Sequence, residues 1–173
     1  AIVVRALGVS LSTDKIFTDV HADDWFSEYV STAYNYGIVK GVNDSEFNPH
    51  KEITREEAAV MAMRATNLCG VNTDINNTAV RNILSEFPDY ITASDWSTTA
   101  LAFCYNESIF DKTALKIEPK VKITRAEVAA VLERYTKLTS KTKVNGNFLC
   151  NLAFFIYLEL FKFFSTLKLF TNK

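Results

Sequence analysis

The sequence has little of what usually announces a chemistry: three cysteines, two histidines and a net charge of −1 in 173 residues. Cys69, Cys104 and Cys150 are odd in number and far apart, which fits neither a disulfide framework nor the close pairs of a zinc site. They read as small buried apolar residues. Without a basic field, nonspecific attraction to nucleic acid is excluded, and any partner must be met by a local site. His21 and His50 fall in unlike loop positions, no Ser or Cys nucleophile stands in a recognisable setting, and there is no phosphate loop. Asp23, Asp24 and Glu28 are explained as helix-start residues. The expectation is a protein that is not an enzyme and needs neither cofactor nor metal. AIVVRALGVS lacks a charged leader before an apolar stretch. It reads as the back half of an amphipathic helix and not as a signal peptide, so the sequence is expected to start inside a domain.

What is present is a hydrophobic content of 48%, ample for a core, and an internal repeat. Aligning ITREEAA (53–59) with ITRAEVAA (123–130) gives an offset of 70, which also carries Phe17 onto Phe87, Asp19 onto Asp89, Pro49 onto Pro119 and Arg64 onto Arg134. One inserted residue before Trp96 takes Trp25 onto it at an offset of 71. At an offset of 59, Ile2–Ala6 matches Met61–Ala65. The organisation read from this is a C-terminal remnant of a unit at 1–10 and a complete unit at 17–68, then a linker at 69–86. A divergent complete unit follows at 87–138, with a second linker at 139–147 and an apolar Phe-rich tail at 148–173.

Each unit reads as helix, loop, helix, giving an all-α fold. In the first unit Asp24 is placed to cap a helix carrying Trp25, Tyr29, Ala33 and Tyr36, and Gly37 ends it. GIVKGVNDSEFNPHKE has the composition of a loop, with Phe47 as its anchor into the core. Thr54 with Glu57, and Thr124 with Glu127, have the spacing of a capping box, which assigns these four to structure. Behind the caps, Ala58, Met61, Ala62 and Ala65 line one helix face, and Val128, Val131, Leu132 and Tyr135 the other. Units this small cannot bury those faces alone, so they must pack on one another.

FTDV…W…Y…A…GIVKGVNDSEFNPHKEITREEAAVMAMR resembles an S-layer homology repeat, and FPDY…DW…A…IEPKVKITRAEVAAVLERY a more divergent one. The resemblance implies repeats assembled around a central helical bundle. It also implies a secreted protein held noncovalently at the bacterial cell wall by secondary cell-wall polysaccharide, often pyruvylated, bound in grooves between repeats. Further repeats, in cis or in a homo-oligomer, would complete the assembly.

The resemblance bears on Arg55 and Arg125, which stand in the first turn of a helix, where the peptide dipoles are already positive. Unpaired amides and a cationic fork at one spot suit a ketal carboxylate, so both are candidate ligand contacts. The competing reading pairs each Arg with an acid such as Glu56 or Glu52, or leaves it solvated. Trp25 and Trp96 offer flat faces for a sugar, although their spacing from Tyr29 and Ala100 favours the core. Asp19 and Asp89 suit either sugar hydroxyls or the turn before the helix. Gly41 suits either close backbone approach to a ligand or a left-handed turn. The second unit replaces Gly37 by Ser108 and Gly41 by Lys112 and lacks the Asn-Asp loop, which puts a groove built on its loop in doubt.

Two nonenzymatic alternatives stand beside polysaccharide binding. One is a structural repeat for protein–protein assembly, whose sign would be Arg55 buried in an ion pair. The other is calcium at Asn43-Asp44-Ser45-Glu46, ranked lower because the ordered alternation of oxygen ligands is missing. The tail admits three origins: a packing helix, a membrane anchor burdened by Asn151, Glu159 and Lys162, or sequence read past a frame disruption. It carries no functional inference.

Overall fold

The computed structural model describes residues 1–14 and 17–141, so Cys150 and the 148–173 tail lie outside the described residues. Among the described residues six α-helices follow in order: α1 (Ile2–Leu7), α2 (Ser27–Asn35), α3 (Arg55–Leu68), α4 (Asn77–Leu84), α5 (Thr98–Asn106) and α6 (Arg125–Lys141). Short 3-10 turns at Tyr90–Thr92 and Asp95–Ser97 precede α5. Among the described residues there is no strand, only an antiparallel bridge between Thr54 and Lys122, and no helix is long and apolar enough to cross a membrane. The fold is all-α.

α3 starts where Thr54 accepts from the Glu57 amide while the Glu57 carboxylate takes the Thr54 amide, and Thr124 and Glu127 make the same reciprocal bonds at α6. The long helix α3 then serves two cores. Ala59, Val60 and Ala62 pack with Val80 and Leu84 of α4, Leu101 and Cys104 of α5, and Phe87, Ile109 and Ile117 of the loops. Ala65 and Cys69 join Val4 and Leu7 of α1, Ala33 of α2, Ile38, and Tyr135 of α6. The two apolar faces read from the sequence meet: Ala58, Met61, Ala62 and Ala65 look across a cavity of about 70 Å³ at Val128, Val131, Leu132 and Tyr135. Val3 of α1 lines it too, so α1, α3 and α6 surround one apolar axis.

The segment expected to be a linker, 69–86, carries α4, capped by the Asn76 side chain on the Ala79 amide and buried through Val80 and Leu84. The first helix of the first unit also differs from its expected form. It begins at Ser27 after an N-cap, Phe26, that supplies no side-chain bond, because the Asp24 carboxylate is used on the His21 amide at 2.7 Å. Its buried face is Val30, Ser31, Thr32 and Ala33, not Trp25 and Tyr36. The two buried hydroxyls are compatible with that face because each is bonded: Ser31 donates to the Asp14 carbonyl, and Thr32 donates to Glu28 while accepting from the Ser12 amide.

Turn geometry is conserved between the units even where the residues change. Gly37 and Ser108 share a left-handed backbone at φ 69° and 59°, as do Asn48 and Glu118 at 58° and 49°. Gly41 has no such substitute within its own turn. A Cβ there would lie 2.6 Å from the Phe17 ring and 2.7 Å from the Glu46 carbonyl, so the turn and close packing account for it.

Candidate functional site

Where the two complete units meet, α3 of the first drives its N-terminus against the loop of the second. The Arg55 amide donates to the Val121 carbonyl at 2.9 Å and the Glu56 amide to Pro119 at 3.1 Å, while the Ile123 amide returns a bond to Ile53. With the Glu57 amide on the Thr54 hydroxyl and Ala58 on the Thr54 carbonyl, the first-turn amides of α3 are spoken for. This corrects the expectation of unpaired amides waiting for an anion at that helix start.

The Arg55 side chain continues into a groove of about 250 Å³ whose other walls come from the second unit, among them Tyr105, Asp111, Lys116, Glu127 and Arg134. Arg55 is 22% exposed and doubly paired, to Glu118 at 2.6 Å through Nη1 and to Glu127 through Nη2. Burial opposes its charge, but the bonds from Glu127 and Glu118 outweigh that and hold the guanidinium protonated more firmly than usual. Neither of the acids expected as its partners takes part. Glu52 pairs with Lys122, and Glu56 turns the other way, under the second unit.

Glu56 is 3% exposed, and its carboxylate accepts from the Ser94 amide, the Ser94 and Ser97 hydroxyls and Lys120 Nζ at 2.7 Å. Burial alone would raise its pKa, yet these donors, Lys120 foremost, bring it below the ordinary glutamate value. In the groove itself Arg134 contacts Asp111 at 3.3 Å, and Asp111 also accepts from the amide and hydroxyl of Thr113. Burial pushes the Tyr105 phenol up to about 12, so it stands in the wall as a neutral group. Lys116 is exposed, with no ion pair among the described residues.

Asp19 and Asp89 perform one task twice. Asp19 accepts from the amides of Phe47 and Asn48 at 2.9 and 2.6 Å, and Asp89 from those of Ile117 and Glu118 at 2.9 and 2.8 Å. Each carboxylate thereby fixes the left-handed turn of its own unit from 28 residues away. For Asp19 the Phe47 amide is the chief cause of a lowered pKa; for Asp89 burial works the other way and the Ile117 and Glu118 amides prevail. Asp89 thus positions Glu118 beside Arg55.

The remaining sequence candidates stand apart from the groove lining. Trp25 and Trp96 are 73% and 59% exposed, which overturns the core reading of both: each lies in the turn two residues before its helix begins. Arg125 is exposed at the start of α6, with no ion pair among the described residues. Asn43 spends its side-chain oxygen on the Ser45 and Glu46 amides, so the Asn43–Glu46 loop is organised by an internal turn. Sequence reasoning missed Lys116, Asp111 and Glu118, and named Glu56 only as a partner for Arg55, not as a buried residue. Glu118 had a signal, since it replaces the neutral Asn48 at a matched turn position.

The family description "S-layer homology domain" matches residues 16–59. The chain is 30% identical over 137 residues to the Surface-layer 125 kDa protein of Lysinibacillus sphaericus, covering 77% of this chain and 11% of that protein. It is 32% identical to the S-layer protein sap of Bacillus anthracis over 84% of this chain and 16% of that one. A protein named Amylopullulanase, from Thermoanaerobacterium thermosulfurigenes, shares 28% identity over 76% of the chain and 6% of its own length. The class is thus a small module recurring within much longer bacterial surface proteins. The chain belongs to the S-layer homology domain family, whose members anchor secreted proteins at the bacterial cell surface. It spans less than a fifth of the length of these relatives.

Proposed function

We propose that the chain anchors its protein by binding an anionic secondary cell-wall polysaccharide, pyruvylated on its sugars, in the groove that Arg55 enters. The observation that carries this reading is the placement of Arg55, Lys116 and Arg134 around one solvent-open groove between two units. A planar guanidinium with flanking cations suits a ketal carboxylate, and the half-buried setting strengthens the attraction relative to open water. Asp89 serves the site by holding the loop, as Asp19 and Gly41 do in the first unit. Arg125 is the corresponding anion contact at α6, and the exposed indoles of Trp25 and Trp96 offer faces for neighbouring sugars. Further repeats, or a second copy of the chain, would supply the remaining grooves.

A second reading has its own observation. Arg55 is ion-paired across the junction of the units, as a purely structural repeat for protein–protein assembly would have it. Calorimetry of the purified chain with pyruvylated wall polysaccharide separates the two, with the depyruvylated polymer as control. Binding that disappears with the ketal and falls at least tenfold in Arg55→Ala supports the anchor. A folded protein that ignores the polymer leaves the assembly reading in its place.

A further inference from the structure

The turn at Glu118 places an acid where the site needs an anion to arrive. Its backbone is left-handed at φ 49°, and Asp89 clamps its amide at 2.8 Å, so the side chain starts from a fixed point on the groove's edge. From there one carboxylate oxygen reaches Arg55 at 2.6 Å. The matched position in the first unit holds Asn48 in the same conformation, φ 58°, under the same clamp from Asp19. An uncharged residue therefore satisfies the turn, and asparagine is among the residues that tolerate this conformation best. The charge of Glu118 is not required by the backbone.

The second acid on Arg55 has a different standing. Glu127 closes the capping box of α6 through the Thr124 amide and hydroxyl, so helix geometry holds it whether or not Arg55 is there. Glu118 makes no such second attachment among the described residues, and its side chain is 46% exposed. Of the two carboxylates on Arg55 it is the one free to leave. While it stays, the lining acids Asp111 and Glu127, with Glu118 paired to Arg55 beside them, balance the three lining cations Arg55, Lys116 and Arg134. The groove then has no excess of positive charge with which to draw an anion.

Building on the polysaccharide reading above, we propose that Glu118 is an internal competitor for Arg55: its carboxylate occupies the guanidinium, and the ligand's carboxylate binds by displacing it. Exchange of one carboxylate for another keeps Arg55 paired throughout and leaves Glu118 to solvent, which its exposure permits. The device lowers affinity and makes the bond to the wall exchangeable.

The test is calorimetric titration of the purified full-length chain with pyruvylated wall polysaccharide, comparing wild type with Glu118→Asn and Glu118→Gln. Asp74→Asn, which removes the same charge from an exposed residue of the connection between α3 and α4, serves as control. An exposed ion pair is worth at most about 1 kcal/mol, so both neutral variants should bind about three- to fivefold more tightly, with the control unchanged. Wild-type binding that the neutral variants match or fall below overturns the competitor role and leaves the anchor intact. Equal tightening in Asp74→Asn also overturns it, by assigning the gain to net charge. If all four ignore the polymer, competitor and anchor fail together.

Discussion

Tyr135 occupies in α6 the position that Ala65 occupies in α3, and its buried hydroxyl donates to the Ala65 carbonyl at 3.2 Å, tying the matched helices of the two units together. The Cys69 sulfur lies 3.2 Å from the same hydroxyl. Tyr135→Phe keeps the ring and loses the bond, which should cost about 1 kcal/mol. Tyr135→Ala also empties space beside an existing apolar cavity and should cost about 4 kcal/mol. Urea denaturation gives both numbers. A Phe variant as unstable as the Ala variant would falsify the division between bond and packing.

The repeat, the capping boxes and the facing apolar stripes were legible because each depends on local spacing: Thr54 with Glu57, Ala58 with Met61 and Ala65. Other features depend on which unit packs on which. Arg55 and Glu56 are neighbours in sequence, yet one enters a solvent-open groove and the other a closed shell of donors, because successive helix residues point about 100° apart. Helical period did not predict Trp25 and Trp96, since it does not say where a helix begins. α4 went unread because its apolar residues, Val80, Ile83 and Leu84, are few and follow a run of polar ones.

Glu56 should make the junction of the units sensitive to acid. Its folded pKa lies below the ordinary glutamate value, so its contribution is full above about pH 4.5 and is lost as pH falls through the depressed value. Glu56→Ala strands the Ser94 amide and takes the carboxylate from Lys120, while Ser97 keeps its bond to the Ser94 carbonyl, and should cost about 2 kcal/mol at pH 7. Glu56→Gln retains the shape without the charge. Its melting temperature should therefore fall less steeply than wild type's between pH 5 and 3, as followed by circular dichroism. Parallel pH profiles for the two proteins would remove Glu56 as an acid-sensitive group.

Asp89 should act on binding through the loop. Asp89→Ala frees the Ile117 and Glu118 amides and should cost about 2 kcal/mol of stability. In titrations with the pyruvylated polymer its affinity should change along with amide exchange in the 117–121 turn, now opened. Faster exchange with unaltered affinity would separate the clamp from the site.

The indoles offer the sharpest contrast between stability and function. A core tryptophan replaced by alanine costs about 3–5 kcal/mol, whereas residues as exposed as Trp25 and Trp96 should cost about 0.5 kcal/mol each. Among the described residues Trp25 has one ring contact, with Phe26 at 5.5 Å, so little packing is lost with it. If the exposed rings stack on sugars, Trp25→Ala and Trp96→Ala should weaken polymer binding about three- to tenfold while melting close to wild type. A large drop in melting temperature would instead return the tryptophans to the core. Unchanged stability with unchanged affinity would leave the arginine groove as the whole of the ligand contact.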